Sequence, residues 1–136
     1  MTVQADPEIA FSIDAGSIKT NYHDQGSGSP VLLIHGSGPG VSAWANWRLN
    51  IGPLARTKRV IAPDMVRFGF TDLPEGVTYG KDLWVKHLAD FLDALGIAQA
   101  DLVGNSFGGG LAIAFAIRYP ERVRRMVLMG SVGMSF

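Results

Sequence analysis

The sequence contains no cysteine, which removes disulfides, zinc–thiolate centres and a cysteine nucleophile together. Charge of one sign is also missing. Twelve Lys and Arg balance twelve Asp and Glu, so no net field draws the chain to nucleic acid or an anionic membrane. A bilayer takes about 20 apolar residues to cross, and the longest strongly apolar stretch, residues 111–117, is far shorter. Residues 1–11 lack a basic region followed by an apolar run, so no signal peptide is visible and the cytoplasm is the expected location.

What is present describes a folded domain. Hydrophobic residues make up 47% and charged residues 18%, a balance that excludes a disordered chain. At 136 residues there is room for one core and not for two. There is no internal repeat and no low-complexity linker; short apolar runs alternate with helical patterns. An extended segment at 18–23 leads into turn-forming residues 25–30. Residues 31–34 (Val-Leu-Leu-Ile) then form a continuous apolar run, the pattern of a strand covered on both faces. Residues 60–62, 101–103 and 126–129 are further strands. Trp84, Leu88, Phe91, Leu92 and Leu95 recur at helical spacing, with Gly96 as a stop and Lys86 and Asp90 paired on the opposite face. A second helix is predicted over 107–119, ending before Pro120. This alternation predicts one α/β domain over 1–136, a mostly parallel sheet flanked by helices with an antiparallel edge from the early hairpin-like segment.

Chemistry enters at Gly104-Asn105-Ser106-Phe107-Gly108. The spacing is G-x-S-x-G, preceded by an apolar strand and followed by an apolar helix. A serine on so sharp a strand-to-helix turn needs a strained backbone, and small neighbours relieve the crowding around it. Such a turn lifts the hydroxyl above the sheet and aims the first N–H groups of the helix at the same place, where they favour a developing oxyanion. Gly108-Gly109-Gly110 would cost roughly 1 kcal/mol each against alanine in a helix, and close packing of helix on strand is the simplest compensation. Ser106 is therefore the expected nucleophile. The glycine-rich run 35–40 (His-Gly-Ser-Gly-Pro-Gly) directly follows a strand. In a nucleophile-elbow fold one oxyanion donor is the N–H after the serine, here Phe107, and the other comes from this loop, with Ser37 the candidate. His35, at the strand end, reads as a hydrogen-bonded structural residue rather than a general base.

Other uses of these glycines fail. The run from Gly36 breaks a G-x-G-x-x-G dinucleotide fingerprint at its sixth place and the run from Gly104 at its third; neither ends in Gly-Lys-Ser/Thr. No cofactor is expected.

Together these motifs resemble the α/β-hydrolases that cleave carbon–carbon bonds in meta-ring-fission products of aromatic catabolism. The resemblance runs through residues 20–24, 34–48, 60–65, 104–110 and 122–130. Its selective part is Ser37-Gly38-Pro39-Gly40, Asn46, and Asn105 before the serine. Within that family the chain is most similar to 2-hydroxymuconate-semialdehyde hydrolases. The resemblance implies a vinylogous 1,5-diketone substrate, a 2-hydroxy-6-oxo-dienoate, hydrolysed to 2-hydroxypenta-2,4-dienoate and a small acid. It also implies that Asn105 and Asn46, with Gly38 close by, bind the carboxylate and 2-oxo end. Amide side chains suit that task because they donate without adding a competing charge. The plainer alternatives are a surface helix residue for Asn46 and a turn cap for Asn105. A homo-oligomer is expected for the full-length protein.

Two departures stand out. In this fold the acidic and histidine partners follow the serine in the chain. Here only Glu121 follows, in a turn context, and His23, His35 and His87 all precede Ser106. The expectation is an N-terminal fragment, lid and C-terminal strands missing, that is inert alone and poorly soluble because its last strand is an unpaired apolar edge. Second, where the family loop reads Asp-x-x-Gly-x-Gly, this chain has Asp64-Met65-Val66-Arg67-Phe68-Gly69. Arginine there costs about 1–2 kcal/mol if the position needs a positive φ, and it puts a cation near the pocket mouth; harmless variation, damage and altered specificity all stay open. Rival functions are an ester or lactone hydrolase of the same fold, or a non-catalytic binding protein.

Overall fold

The structure, a computed structural model, describes residues 6–131. Strand β1 (Phe11–Ala15) turns at Gly16 into β2 (Ile18–Gln25), and the two pair antiparallel. Four strands follow: β3 (Pro30–Ile34), β4 (Arg59–Pro63), β5 (Ala100–Asn105) and β6 (Val123–Met129). They complete one six-stranded sheet in the order β1-β2-β4-β3-β5-β6, antiparallel through β1, β2 and β4 and parallel from β4 to β6. The expected mostly parallel sheet with an antiparallel edge is what forms. Strand β1 itself carries no apolar run, and the sequence reading began only at residue 18.

Both faces of β3 are covered, which is why its apolar run is unbroken. Leu32 and Ile34 point into a core with α3 (Lys81–Ala94) and α4 (Phe107–Arg118), through Leu88, Phe91, Leu111 and Phe115. Val31 and Leu33 point the other way, against Trp47 and Ile51 on two short helices, α1 (Ala43–Trp47) and α2 (Ile51–Leu54). Leu32, Leu33 and Ile34 are fully buried, worth about 1.5–3 kcal/mol each. The predicted stripe on α3 faces the core at Leu88, Phe91 and Leu92, and Gly96 ends the helix at φ +70°. Lys86 and Asp90 form the expected ion pair on the outer face. A single 3-10 turn, Pro120–Arg122, carries the exposed Glu121.

Because β3, β4 and β5 run parallel, their carboxyl ends meet at one end of the sheet. His35, Asp64 and Ser106 follow those ends directly. In open α/β sheets this is where ligands bind.

Candidate active site

Ser106 sits between β5 and α4 at φ +54° and ψ −113°, one of two described non-glycine residues with a positive φ. The strain is held from both sides. Its N–H donates to the carbonyl of Met129 at 2.9 Å on β6, and its carbonyl accepts from the N–H of Gly109 at 2.9 Å. The flanking glycines are demanded by space. A Cβ on Gly108 would strike the carbonyl oxygens of Ile34 and His35, and one on Gly104 would strike the backbone of Gly108 and Gly109. The helix thus starts pressed against the end of β3, and the compensation anticipated for its opening glycines is this close approach. Ser106 as a residue is half-buried.

The loop after β3 is tied to this elbow by two amides. Asn46 Oδ1 accepts from the N–H of Gly36 at 2.9 Å and from Asn105 Nδ2 at 3.0 Å. Asn46, half-buried on its helix, is therefore more than a solvated surface residue, and the Asn105 amide nitrogen is spent on Asn46. One oxygen joins the glycine loop, helix α1 and the residue before the nucleophile. Ser37 and Gly38 follow Gly36 and are exposed, Gly38 at φ +135°. Among the described residues the N–H groups of Ser37 and Phe107 have no hydrogen-bond partner.

Behind the site lies a buried polar layer of which sequence reasoning anticipated only His35. The Asp64 carboxylate is fully buried and takes three donors: the Ala43 N–H at 2.7 Å, the Phe70 N–H at 2.9 Å and Asn21 Nδ2 at 2.9 Å. It pins the start of α1, and so Asn46, to the end of β4. Its setting explains Gly69, where a Cβ would collide with the carboxylate. His35, also fully buried, donates from Nδ1 to the Gly36 carbonyl at 2.7 Å and accepts the Met65 N–H at Nε2 at 2.9 Å. Both ring nitrogens are engaged, and burial holds its pKa below the usual histidine range. It is the structural residue the sequence suggested. His87 on α3 accepts the Val66 N–H at Nδ1 at 3.3 Å and meets Thr20 Oγ1 at 2.9 Å. Burial lowers its pKa to about 4. The third histidine, His23, stacks on Trp44 and lies 3.3 Å from the Glu8 carbonyl. The only advance sign of this layer was polar residues standing at the ends of apolar strands.

Arg67 is the second strained residue, at φ +81°. Its guanidinium lies 5.4 Å from the centroid of the Tyr79 ring. Phe68 beside it packs between His35 and Phe107, at 5.3 and 6.0 Å between centroids.

A family model described as alpha/beta hydrolase fold matches residues 29–136. The 2-hydroxymuconate semialdehyde hydrolase of Pseudomonas sp. (strain CF600) is 62% identical over 133 residues, 98% of this chain and 47% of that protein. The 2-hydroxy-6-oxo-2,4-heptadienoate hydrolase of Pseudomonas putida (strain F1) is 64% identical over 129 residues, 95% of this chain and 47% of its own. Among solved structures, the meta-cleavage product hydrolase of Pseudomonas fluorescens IP01, a serine-to-alanine mutant complexed with acetates, superposes with a TM-score of 0.94 at 63% identity. That match covers 96% of this chain and 48% of the other. The chain spans about half the length of the curated relatives it matches.

Proposed function

Because this chain belongs to the alpha/beta hydrolase fold family, we propose that the protein hydrolyses a carbon–carbon bond in 2-hydroxy-6-oxo-dienoates, with Ser106 as nucleophile. The relatives named above are hydrolases of such compounds. One observation within the chain carries the reading: a strained serine on a strand-to-helix turn, with the glycine loop fastened beside it through Gly36, Asn46 and Asn105.

In this reading the dienol first becomes its keto tautomer, so that the departing carbon leaves as a stabilised carbanion. The Ser106 hydroxyl then adds to the distal carbonyl. The negative charge on oxygen is taken up by the N–H groups of Ser37 and Phe107, fixed dipoles that need no reorganisation as charge develops. Asn105 and Asn46, with Gly38 nearby, hold the carboxylate and 2-oxo end. The proton acceptor for Ser106 is none of this chain's three histidines, since both ring nitrogens of His35 pair with backbone groups, those of His87 pair with the Val66 N–H and the Thr20 hydroxyl, and His23 lies against Trp44 and Glu8. It belongs to another part of the whole protein. On this reading the 136-residue chain alone is expected to turn over no dienoate. The reading also includes a homo-oligomeric, cytoplasmic whole protein; among the described residues no helix is long and apolar enough to cross a membrane.

The test is a chimera in which this chain replaces the matching half of the Pseudomonas sp. CF600 enzyme, offered 2-hydroxymuconate semialdehyde and a p-nitrophenyl ester. Loss of the dienoate's absorbance, abolished in Ser106→Ala, supports the proposal. Ester turnover alone makes the protein an esterase, and turnover of neither favours a binding role.

A further inference from the structure

We propose that Trp84 is a positioning residue for the oxyanion site: its indole holds the Phe107 ring, and with it the N–H that follows Ser106, in register with the glycine loop. The proposal rests on the reading of the Phe107 N–H as an oxyanion donor. Three observations carry it.

The first is how little else grips that donor. The N–H belongs to the peptide joining Ser106 to Phe107, which is planar and trans. The carbonyl of that peptide accepts from the N–H groups of Gly109 and Gly110 at 2.9 and 3.2 Å, so its N–H points away from the body of the helix. The turn behind it reads Phe107-Gly108-Gly109-Gly110. Glycine leaves a backbone freer than any other residue. Phe107 thus carries the only side chain by which this turn can be held.

The second is what holds that side chain. The half-buried Phe107 ring lies against Trp84 of α3 at 5.1 Å between centroids, with the planes at 85°, and against Phe68 at 6.0 Å. Phe68 also packs edge-on against His35 at 5.3 Å. His35 Nδ1 donates to the Gly36 carbonyl, which belongs to the same peptide as the Ser37 N–H. One row of rings therefore runs from the first donor to the second.

The third is that the indole is itself fixed. Trp84 Nε1 donates to the Val66 carbonyl at 3.1 Å, and the Val66 N–H donates to His87 Nδ1 at 3.3 Å. Residues 84 and 87 share a face of α3, so the helix grips the fully buried Val66 by both of its backbone groups. Filling the core would require neither bond. Trp84 is only half-buried, whereas Leu88, Phe91 and Leu92 of the same stripe are fully buried. A tryptophan whose ring angle is set by a hydrogen bond presents its ring at a defined place.

The test uses the chimera with Trp84, Trp84→Phe and Trp84→Leu. Leu95→Ala, beyond the far end of α3, is a fourth protein that disturbs the same core away from Phe107. Turnover is counted per Ser106 titrated with a fluorophosphonate, which removes unfolded protein from the comparison. In Trp84→Leu, kcat for 2-hydroxymuconate semialdehyde should fall about tenfold, short of the roughly 10²–10³ lost with a whole donor. Phenylboronic acid bonds the Ser106 oxygen through boron as the hydroxyl proton leaves, giving a tetrahedral anion, and should bind about tenfold more weakly. Affinity for sorbate, a planar carboxylate with no tetrahedral centre, should stay within about twofold, as for a loss confined to the transition state. Trp84→Phe keeps a ring against Phe107 and should recover most of both losses. Leu95→Ala should lower the melting temperature and change none of the three readouts. Boronate affinity that is unchanged in Trp84→Leu, that falls no more than sorbate affinity, or that falls as far in Leu95→Ala overturns the proposal. A chimera that cleaves only the p-nitrophenyl ester, with the same tenfold loss in Trp84→Leu, upholds the positioning role and overturns the carbon–carbon reading instead.

Discussion

His35 and His87, one at the end of β3 and the other on α3, accept hydrogen bonds from adjacent amides: Met65 N–H to His35 Nε2 and Val66 N–H to His87 Nδ1. The segment they hold continues directly into Arg67 and Phe68. Both rings must be neutral to accept these bonds, and burial, the largest influence on each, lowers both pKa values.

This pairing gives the fold an acid limit. The unfolded chain takes up protons on these positions below about pH 6.5, whereas folded His87 resists protonation down to about pH 4. Stability is therefore full above pH 6.5 and falls as the pH drops through that window, because there the unfolded state binds more protons. For His87 the loss amounts to roughly 3 kcal/mol across the window. His87→Leu should cost about 1–3 kcal/mol at pH 7.5, by orphaning the Val66 N–H, and should shrink the further loss between pH 7.5 and 5. Urea midpoints at the two pH values decide it; an equal pH dependence in the variant would refute the assignment.

Ser106→Gly should stabilise the fold while abolishing turnover in the chimera. Glycine accepts φ +54° without steric cost, and the relief should be about 1 kcal/mol after allowing for the greater freedom of the unfolded glycine chain. Ser106→Ala removes the hydroxyl but keeps the strain, so its melting temperature should match the serine protein. If glycine and alanine melt together, the elbow stores no strain.

A third prediction concerns the oxygen shared at Asn46. Asn46→Ala removes the acceptor of the Gly36 N–H and should destabilise the fold by about 1–3 kcal/mol. Asn46→Asp keeps an oxygen for both Gly36 and Asn105, so stability should hold. It also sets a negative charge beside a site that binds an anion, and KM for the dienoate should rise by about tenfold or more, since two like charges near a protein surface repel by several kcal/mol at contact. Thermal melts and steady-state kinetics of both variants separate the structural role from the binding one.

Much of this was legible in the sequence because the signals are local. The run at 31–34 is unbroken since β3 has a core on each side, and G-x-S-x-G is spelled by contacts within five residues and with the adjacent strand. The resemblance picked out Asn46 and Asn105, but it could not join them. Their bond spans 59 positions of sequence and depends on where Asp64 anchors the start of α1. His87 was hidden for the same reason, standing in an apolar helical stripe with its partners on β2 and the loop after β4. Strand β1 is exposed along most of its length, so no hydrophobic pattern marked it. Arg67 was visible as a departure, but its positive φ and its seat on Tyr79 are properties of the folded loop.

The last prediction concerns β6. It pairs only with β5, and Met126, Val127, Leu128 and Met129 are 38–55% exposed, so apolar side chains stand on both its faces beside an edge unpaired among the described residues. Such an edge is a template for a second copy, and natural sheets blunt theirs with charge, often lysine. The two arginines at positions 124 and 125 stand only at the start of the strand, and Arg124 lies 3.5 Å from Asp101. The 136-residue chain should therefore self-associate at micromolar concentration. Val127→Lys should reduce that association without disturbing the ladder to β5, because lysine at the most exposed of the four positions can reach water. Sedimentation velocity over a concentration series, with circular dichroism to confirm an unchanged fold, measures both. A wild-type chain that stays monomeric throughout would mean that this edge is already protected.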